Sequence, residues 1–142
     1  DAVCDTPVTS ADLLPTILDL CGVEPDADRP IDGRSLRPML EDPRGKDVPR
    51  DLFWHYPHYG NQGGAPSGAI RSGDLKLIEW FEDGRIELFD LASDPGERLD
   101  LAPQRPDEVR RLSAALAGWR LGVDAAMPRP NPEFEPPKPE DD

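Results

Sequence analysis

The residues with the most chemical potential lie in one hexapeptide, Trp54-His55-Tyr56-Pro57-His58-Tyr59, which holds both histidines of the chain. Two imidazoles could share a metal ion or a proton, but Pro57 between them bars a common helix face. Spacings of the HExxH, CxxC and EF-hand types do not occur. Ser10, Ser35, Ser67 and Ser93 lack the strained glycine elbow that exposes a hydrolase serine. Cys4 and Cys21 have no adjacent histidine or cation to stabilise a thiolate, so they read as structural. The acidic pairs Glu82/Asp83 and Asp94/Glu97 fall in turn sequences, and no glycine-rich phosphate loop is present. No complete catalytic constellation results. What remains is a polar, aromatic segment followed by an irregular loop, Tyr59–Gly68, of the kind that carries binding function on a rigid frame. The hexapeptide reads either as the rim of a binding cleft or as an aromatic strand end packed into a core.

The elements that must position these groups follow from periodicity. Leu13, Leu14, Ile17, Leu18 and Cys21 recur at helical spacing, which predicts a helix over about 9–21 with an apolar stripe. Thr9 or Ser10 can cap it, Asp12 suits a loose capping box, and Gly22 can end it in the left-handed conformation. Pro15 is tolerable only if the helix starts late or kinks. A turn at Pro30–Gly33 precedes a short helix around 35–40, and Glu41–Arg50 reads as surface loop. Leu52–Tyr56 is strand-like. Ala69–Arg71, Leu75–Phe81 and Arg85–Asp90, separated by turn residues, predict an antiparallel meander. Asp83-Gly84 supplies the positive backbone angles of a tight hairpin. Leu75, Leu77 and Phe81 face one side and Ile78 and Trp80 the other, so both faces should be covered. Pro106 at a helix start, acids in the first turn, and Val109, Leu112, Leu116 and Trp119 on one face predict the covering helix.

Composition narrows the partners. The chain has 142 residues, with 16 basic and 29 acidic side chains and a net charge of −13. That length suits one domain or one domain plus a tail. The charge argues against nucleic acid or an anionic membrane surface as partner. No run approaches the roughly 18 apolar residues of a membrane span. Two cysteines are too few for a disulfide-built scaffold. The first residue is Asp1, which suggests a removed leader or the trailing piece of something longer. The expected organisation is 1–45, with the first helix and the short one; 46–126, sheet plus helix; and 127–142, an extended, acidic, proline-rich tail.

In this order the segments resemble the C-terminal part of the sulfatase family, within the alkaline-phosphatase-like superfamily. The resemblance rests on Pro7-Val8 and Asp12-Leu13-Leu14-Pro15-Thr16 closing at Gly22, and on Ile31-Asp32-Gly33-Arg34-Ser35-Leu36 continuing to Leu40. It extends through the Trp54–Tyr59 hexapeptide, Gly73-Asp74-Leu75-Lys76-Leu77-Ile78, and Glu87-Leu88-Phe89-Asp90-Leu91 with Asp94-Pro95-Gly96-Glu97. It covers about Val3 to Pro132.

The resemblance implies an α/β protein of which this chain is a fragment, α+β on its own. The fragment would comprise one helix of the large sulfatase domain and a small antiparallel sheet packed with a C-terminal helix. It implies hydrolysis of sulfate esters or sulfamates, with formylglycine as nucleophile and calcium holding the sulfate. Neither Cys4-Asp5-Thr6-Pro7-Val8 nor Cys21-Gly22-Val23-Glu24-Pro25 fits the Cys-x-Pro/Ala-x-Arg context of the modified cysteine. No catalytic or metal residue therefore carries over, and the chain alone is expected to be inactive. What carries over is cleft wall: His58 first, then His55, Tyr59 and Asn61. Arg71 and Lys76 are weaker candidates for an anionic sugar, and Trp54 and Trp80 are assigned to packing. The implied partners are a missing N-terminal sulfatase domain and a sulfated carbohydrate, and the implied location is periplasmic or extracellular. A phosphoester hydrolase of the same superfamily and a free-standing, non-enzymatic binding module are the alternatives.

Overall fold

The structure is a computed structural model that describes residues 2–45, 49–61, 63–129 and 131–133. Most of the proline-rich tail expected over 127–142 lies outside the described residues. The chain divides between Pro49 and Arg50 into two compact units.

In the first unit a 3₁₀ turn, Ser10–Asp12, leads into helix α1, Leu13–Leu20, and helix α2 spans Arg37–Glu41. The late start of α1 accounts for Pro15. It occupies the third helical position, where a backbone N–H has no intrahelical partner to lose. The helix ends as a Schellman motif: Gly22 takes φ +66°, its N–H donates to Asp19 O at 3.1 Å, and Val23 N–H donates to Leu18 O at 2.9 Å.

The side of α1 that is buried is the opposite of the expected one. Asp12 and Thr16 are the buried residues here, while Leu13, Leu14, Ile17 and Leu20 are each more than half exposed. Asp12, Thr16 and Asp19 lie at i, i+4 and i+7, one polar stripe that grips the loop before α2. Asp12 Oδ1 accepts the Arg34 N–H at 3.0 Å and its Oδ2 accepts the Thr9 N–H at 2.8 Å. Thr16 Oγ1 accepts the Leu36 N–H at 2.8 Å, and Ser35 Oγ donates to Asp19 Oδ2 at 2.5 Å. Loop and helix approach so closely that a Cβ at Gly33 would lie 2.0 Å from Ala11 O. The Asp-Gly-x-Ser sequence is thus the receiving half of a hydrogen-bonded clamp.

The second unit is the meander with its helix. Strands β1 (Leu52–Tyr56), β2 (Ser67–Ser72), β3 (Leu75–Trp80) and β4 (Ile86–Asp90) form one sheet in sequence order, every neighbour antiparallel. Helix α3, Pro106–Gly122, lies on one face. The register aligns Phe53, Ile70, Leu77 and Leu88 in one row, and Leu112 and Leu116 descend onto it. Phe53 stacks on Trp119 with ring centroids 5.0 Å apart. Fully burying each of the aliphatic residues in this core contributes about 1.5–3 kcal/mol.

The tight hairpin expected at Asp83-Gly84 lies elsewhere. The two-residue connection is Gly73-Asp74, with Gly73 at φ +61°. Asp83-Gly84 belongs to a wider loop, closed by Trp80 N–H to Arg85 O at 2.9 Å, in which Gly84 alone takes positive φ. On the sheet face away from α3, Trp80 is half-buried and its indole N–H donates to Glu87 Oε2 at 2.9 Å. Trp54 on that face is 45% exposed and so is not a core residue.

Candidate functional site

An antiparallel meander delivers its first and third connections to the same end of the sheet. Here those connections are 57–66, between β1 and β2, and 81–85, between β3 and β4. The Phe81 N–H donates to Pro66 O at 2.9 Å and ties the two together. The first loop closes on itself through Gly60 N–H to Gly64 O at 2.7 Å. Tyr59 then reaches across, its hydroxyl donating to Glu82 Oε1 at 2.6 Å. That bond to Glu82, with desolvation and the carboxylate charge adding to it, raises the Tyr59 pKa above the usual tyrosine value.

Between these loops lies a groove of about 700 Å³, within the range of small-molecule sites. One side is Pro57, Tyr59, Pro66, Phe81 and Glu82; the other is Pro128, Arg129 and Asn131, from the chain beyond α3. That strap is anchored. Ala125 N–H donates to Arg120 O at 3.0 Å, and His55 Nε2 lies 2.8 Å from Ala126 O. Since a carbonyl only accepts, Nε2 carries the proton. Arg120, 13% exposed, pairs with Glu79 Oε2 at 2.7 Å and lies over the Phe81 ring at 5.5 Å. A Cβ at Gly68 would stand 3.1 Å from that ring, so β2 leaves Phe81 its place by carrying no side chain there.

The four residues singled out from the sequence occupy four different settings. Tyr59 lines the groove. His55 faces α3, half-buried, and holds the strap from behind. His58 is exposed and meets Tyr56 edge-on at 5.4 Å. Asn61 sits exposed at the turn of the loop. Phe81, Glu82, Arg129 and Asn131 escaped the sequence reading. The first two were legible in principle, because alternate connections of any meander converge. The last two were not, because they lie on the chain beyond α3, which the His55–Ala126 contact ties to the sheet.

Lys76 and Arg71 are otherwise engaged. Lys76 Nζ meets both oxygens of Glu97 at 2.7 Å, which joins the Gly-Asp-x-Lys and Asp-Pro-x-Glu segments. Arg71 Nε donates to Gly73 O at 3.0 Å. Asp94 Oδ2 accepts the N–H groups of Leu99 at 2.9 Å and Arg98 at 2.7 Å, so this acidic pair builds a turn. The Leu99 bond, with those of Arg98 and Gly96, holds the Asp94 carboxyl below the usual range against some desolvation.

Among the described residues no three His, Cys, Asp or Glu side chains converge, and both cysteines are free and exposed.

Comparison with known proteins places the chain. Residues 1–117 match the family model described as N-sulphoglucosamine sulphohydrolase, C-terminal, so the chain belongs to that family of sulfatase C-terminal regions. It is 35% identical over 130 residues to a choline-sulfatase of Rhizobium meliloti, covering 86% of this chain and 24% of the relative. A sulfatase of Formosa agariphila is 30% identical over 131 residues, covering 83% and 24%. Among solved structures, one determined with its substrate D-glucosamine-2-N,6-O-disulfate superposes with TM-score 0.67 at 28% identity, over 82% of this chain and 24% of that one. A 2-O GAG sulfatase gives TM-score 0.62 at 28% identity, over 80% and 25%. The chain thus spans about a quarter of the length of the curated relatives it matches. The four-stranded sheet with its helix is a sulfatase C-terminal architecture.

Proposed function

We propose that this chain is the C-terminal portion of an enzyme that hydrolyses sulfate esters of carbohydrates. Its nucleophile and calcium site lie in a preceding portion, and the loop from Pro57 to Gly64, with His58, His55, Tyr59 and Asn61, forms one wall of the cleft. The family match supports the activity, and the structure solved with a sulfated glucosamine supports the substrate class. The single observation that carries the division of labour is α1. A helix that buries Asp12 and Thr16 while leaving Leu13, Leu14, Ile17 and Leu20 in water is half of an interface. Its polar half is satisfied within this chain, and its apolar half awaits the preceding sulfatase domain.

Reconstitution tests the reading. The purified chain alone should give no turnover of an aryl sulfate. Co-expressed with the preceding portion of a sulfatase of this family, it should restore turnover, and Ile17→Lys should prevent that. Turnover by the chain alone, abolished by Cys4→Ala, would overturn the proposal.

A further inference from the structure

The groove carries a mixed set of chemistries. Pro57, Pro66 and Phe81 supply apolar faces, of which an aromatic ring suits the C–H face of a sugar. Glu82 already accepts the Tyr59 hydroxyl on Oε1, and its second oxygen can accept from a ligand hydroxyl. Asn131 Oδ1 accepts the Glu133 N–H at 3.0 Å, which leaves its amide NH₂ to donate. Arg129 brings donors from the same wall. Among the described residues the lining therefore holds one carboxylate and one guanidinium, and a carboxylate facing the ligand repels a sulfate group. This balance departs from the excess of positive charge that recognition of a sulfate by the groove would need.

Resting on the cleft-wall reading above, we infer that the groove lined by Tyr59 and Glu82 on one side and by Arg129 and Asn131 on the other binds an uncharged ring of the saccharide, not its sulfate. Phe81 and the prolines stack against the ring, while Glu82, Asn131 and Arg129 take its hydroxyls. His55 is a positioning residue: its bond to Ala126 O holds the strap, and thereby Arg129, opposite Tyr59. Arg120 supports the same geometry from beneath, paired with Glu79 and lying over Phe81. Much of the ordering cost of the far wall is met before a ligand arrives.

The test uses the full chain in amide-detected NMR titrations with three probes: the neutral disaccharide N-acetyllactosamine, its 6-O-sulfated form, and inorganic sulfate. The two disaccharides should bind within about threefold of each other. They should shift the amides of Tyr59, Phe81, Glu82 and Arg129, which inorganic sulfate at equal concentration should leave unmoved. Tyr59→Ala and Arg129→Ala should each weaken binding about tenfold or more, equivalent to about 1.4 kcal/mol, with the sheet amides unchanged. Arg98→Ala, on an exposed turn, should have no effect. His55→Ala should weaken binding and shift the amides of 123–129, and His55→Gln, whose amide can still donate to Ala126 O, should recover most of it. Binding that requires the sulfate, shifts confined to other surfaces, or no saccharide binding by the folded chain would each overturn the inference. None of these results bears on whether a reconstituted enzyme cleaves sulfate esters, so the two readings fail separately.

Discussion

The two units of this chain treat apolar side chains in opposite ways. From Arg50 onward, Ile70, Leu77, Leu88, Leu112 and Leu116 are fully buried around a core that the unit supplies from both sides. Before Arg50, the buried residues among those described are a carboxylate and a hydroxyl, while Leu13, Leu14, Ile17 and Leu20 are each more than half exposed. One unit is closed by the hydrophobic effect. The other is joined by hydrogen bonds between its helix and its loop, an arrangement that specifies geometry well but contributes only about 0.5–1.5 kcal/mol per bond. The difference teaches that one unit of a chain can close its apolar side chains into a core while another leaves a helix face of them uncovered.

Core truncation tests the contrast most severely. Leu77→Ala should cost about 2–5 kcal/mol in urea unfolding followed by tryptophan fluorescence. Ile17→Ala, at a residue 58% exposed, should change stability by no more than about 0.5 kcal/mol in the same assay. Equal losses at both positions would erase the distinction. Next in size is Asp12→Ala, which strands the N–H groups of Thr9 and Arg34. It should cost about 1–3 kcal/mol of local stability, read as lost hydrogen-exchange protection at Arg34, with the β2 and β3 amides unaffected.

A smaller effect comes from acid. Asp19 is held below the usual carboxylate range by the Ser35 hydroxyl first, with Arg37 adding to it against desolvation, and Asp94 by the Leu99 N–H and its neighbours. A folded-state pKa below the unfolded value means stabilisation that is complete above the unfolded value and lost as pH falls through the folded one. Both loops should therefore hold at neutral pH and loosen only below about pH 4, with Asp94→Asn removing that acid dependence around Arg98 and Leu99. Amide shifts followed down a pH series would show it. Smallest is the Tyr59 phenol: Glu82→Ala should bring its ultraviolet titration midpoint down toward the ordinary value of about 10, with no change in the sheet.

Much of the second unit was legible because its residues answer to local rules. Strand β1 falls over Leu52–Tyr56 as expected, and α3 begins at Pro106 and buries the anticipated Leu112 and Leu116. The facing of Leu75 and Leu77 against Ile78 and Trp80 also holds, since it follows from the two-residue period of a strand. The first unit defeated the same reasoning. Asp12, Thr16 and Asp19 form as regular a stripe as Leu13, Ile17 and Leu20, and periodicity reveals stripes without saying which one the chain itself covers. Lys76 was readable as a lysine on a strand, but its partner Glu97 lies 21 residues away across a turn at positive φ. The groove was hidden for a similar reason, because its far wall depends on a contact between residues 71 apart.

Hydrogen exchange on the chain alone tests the central claim most directly, because it compares the two units within one molecule. The account predicts slow exchange for the β2 and β3 amides and fast exchange for the α1 amides of Ile17 through Leu20. It further predicts that α1 becomes protected when the preceding sulfatase portion is supplied. Protection of α1 equal to that of the sheet in the isolated chain would contradict it.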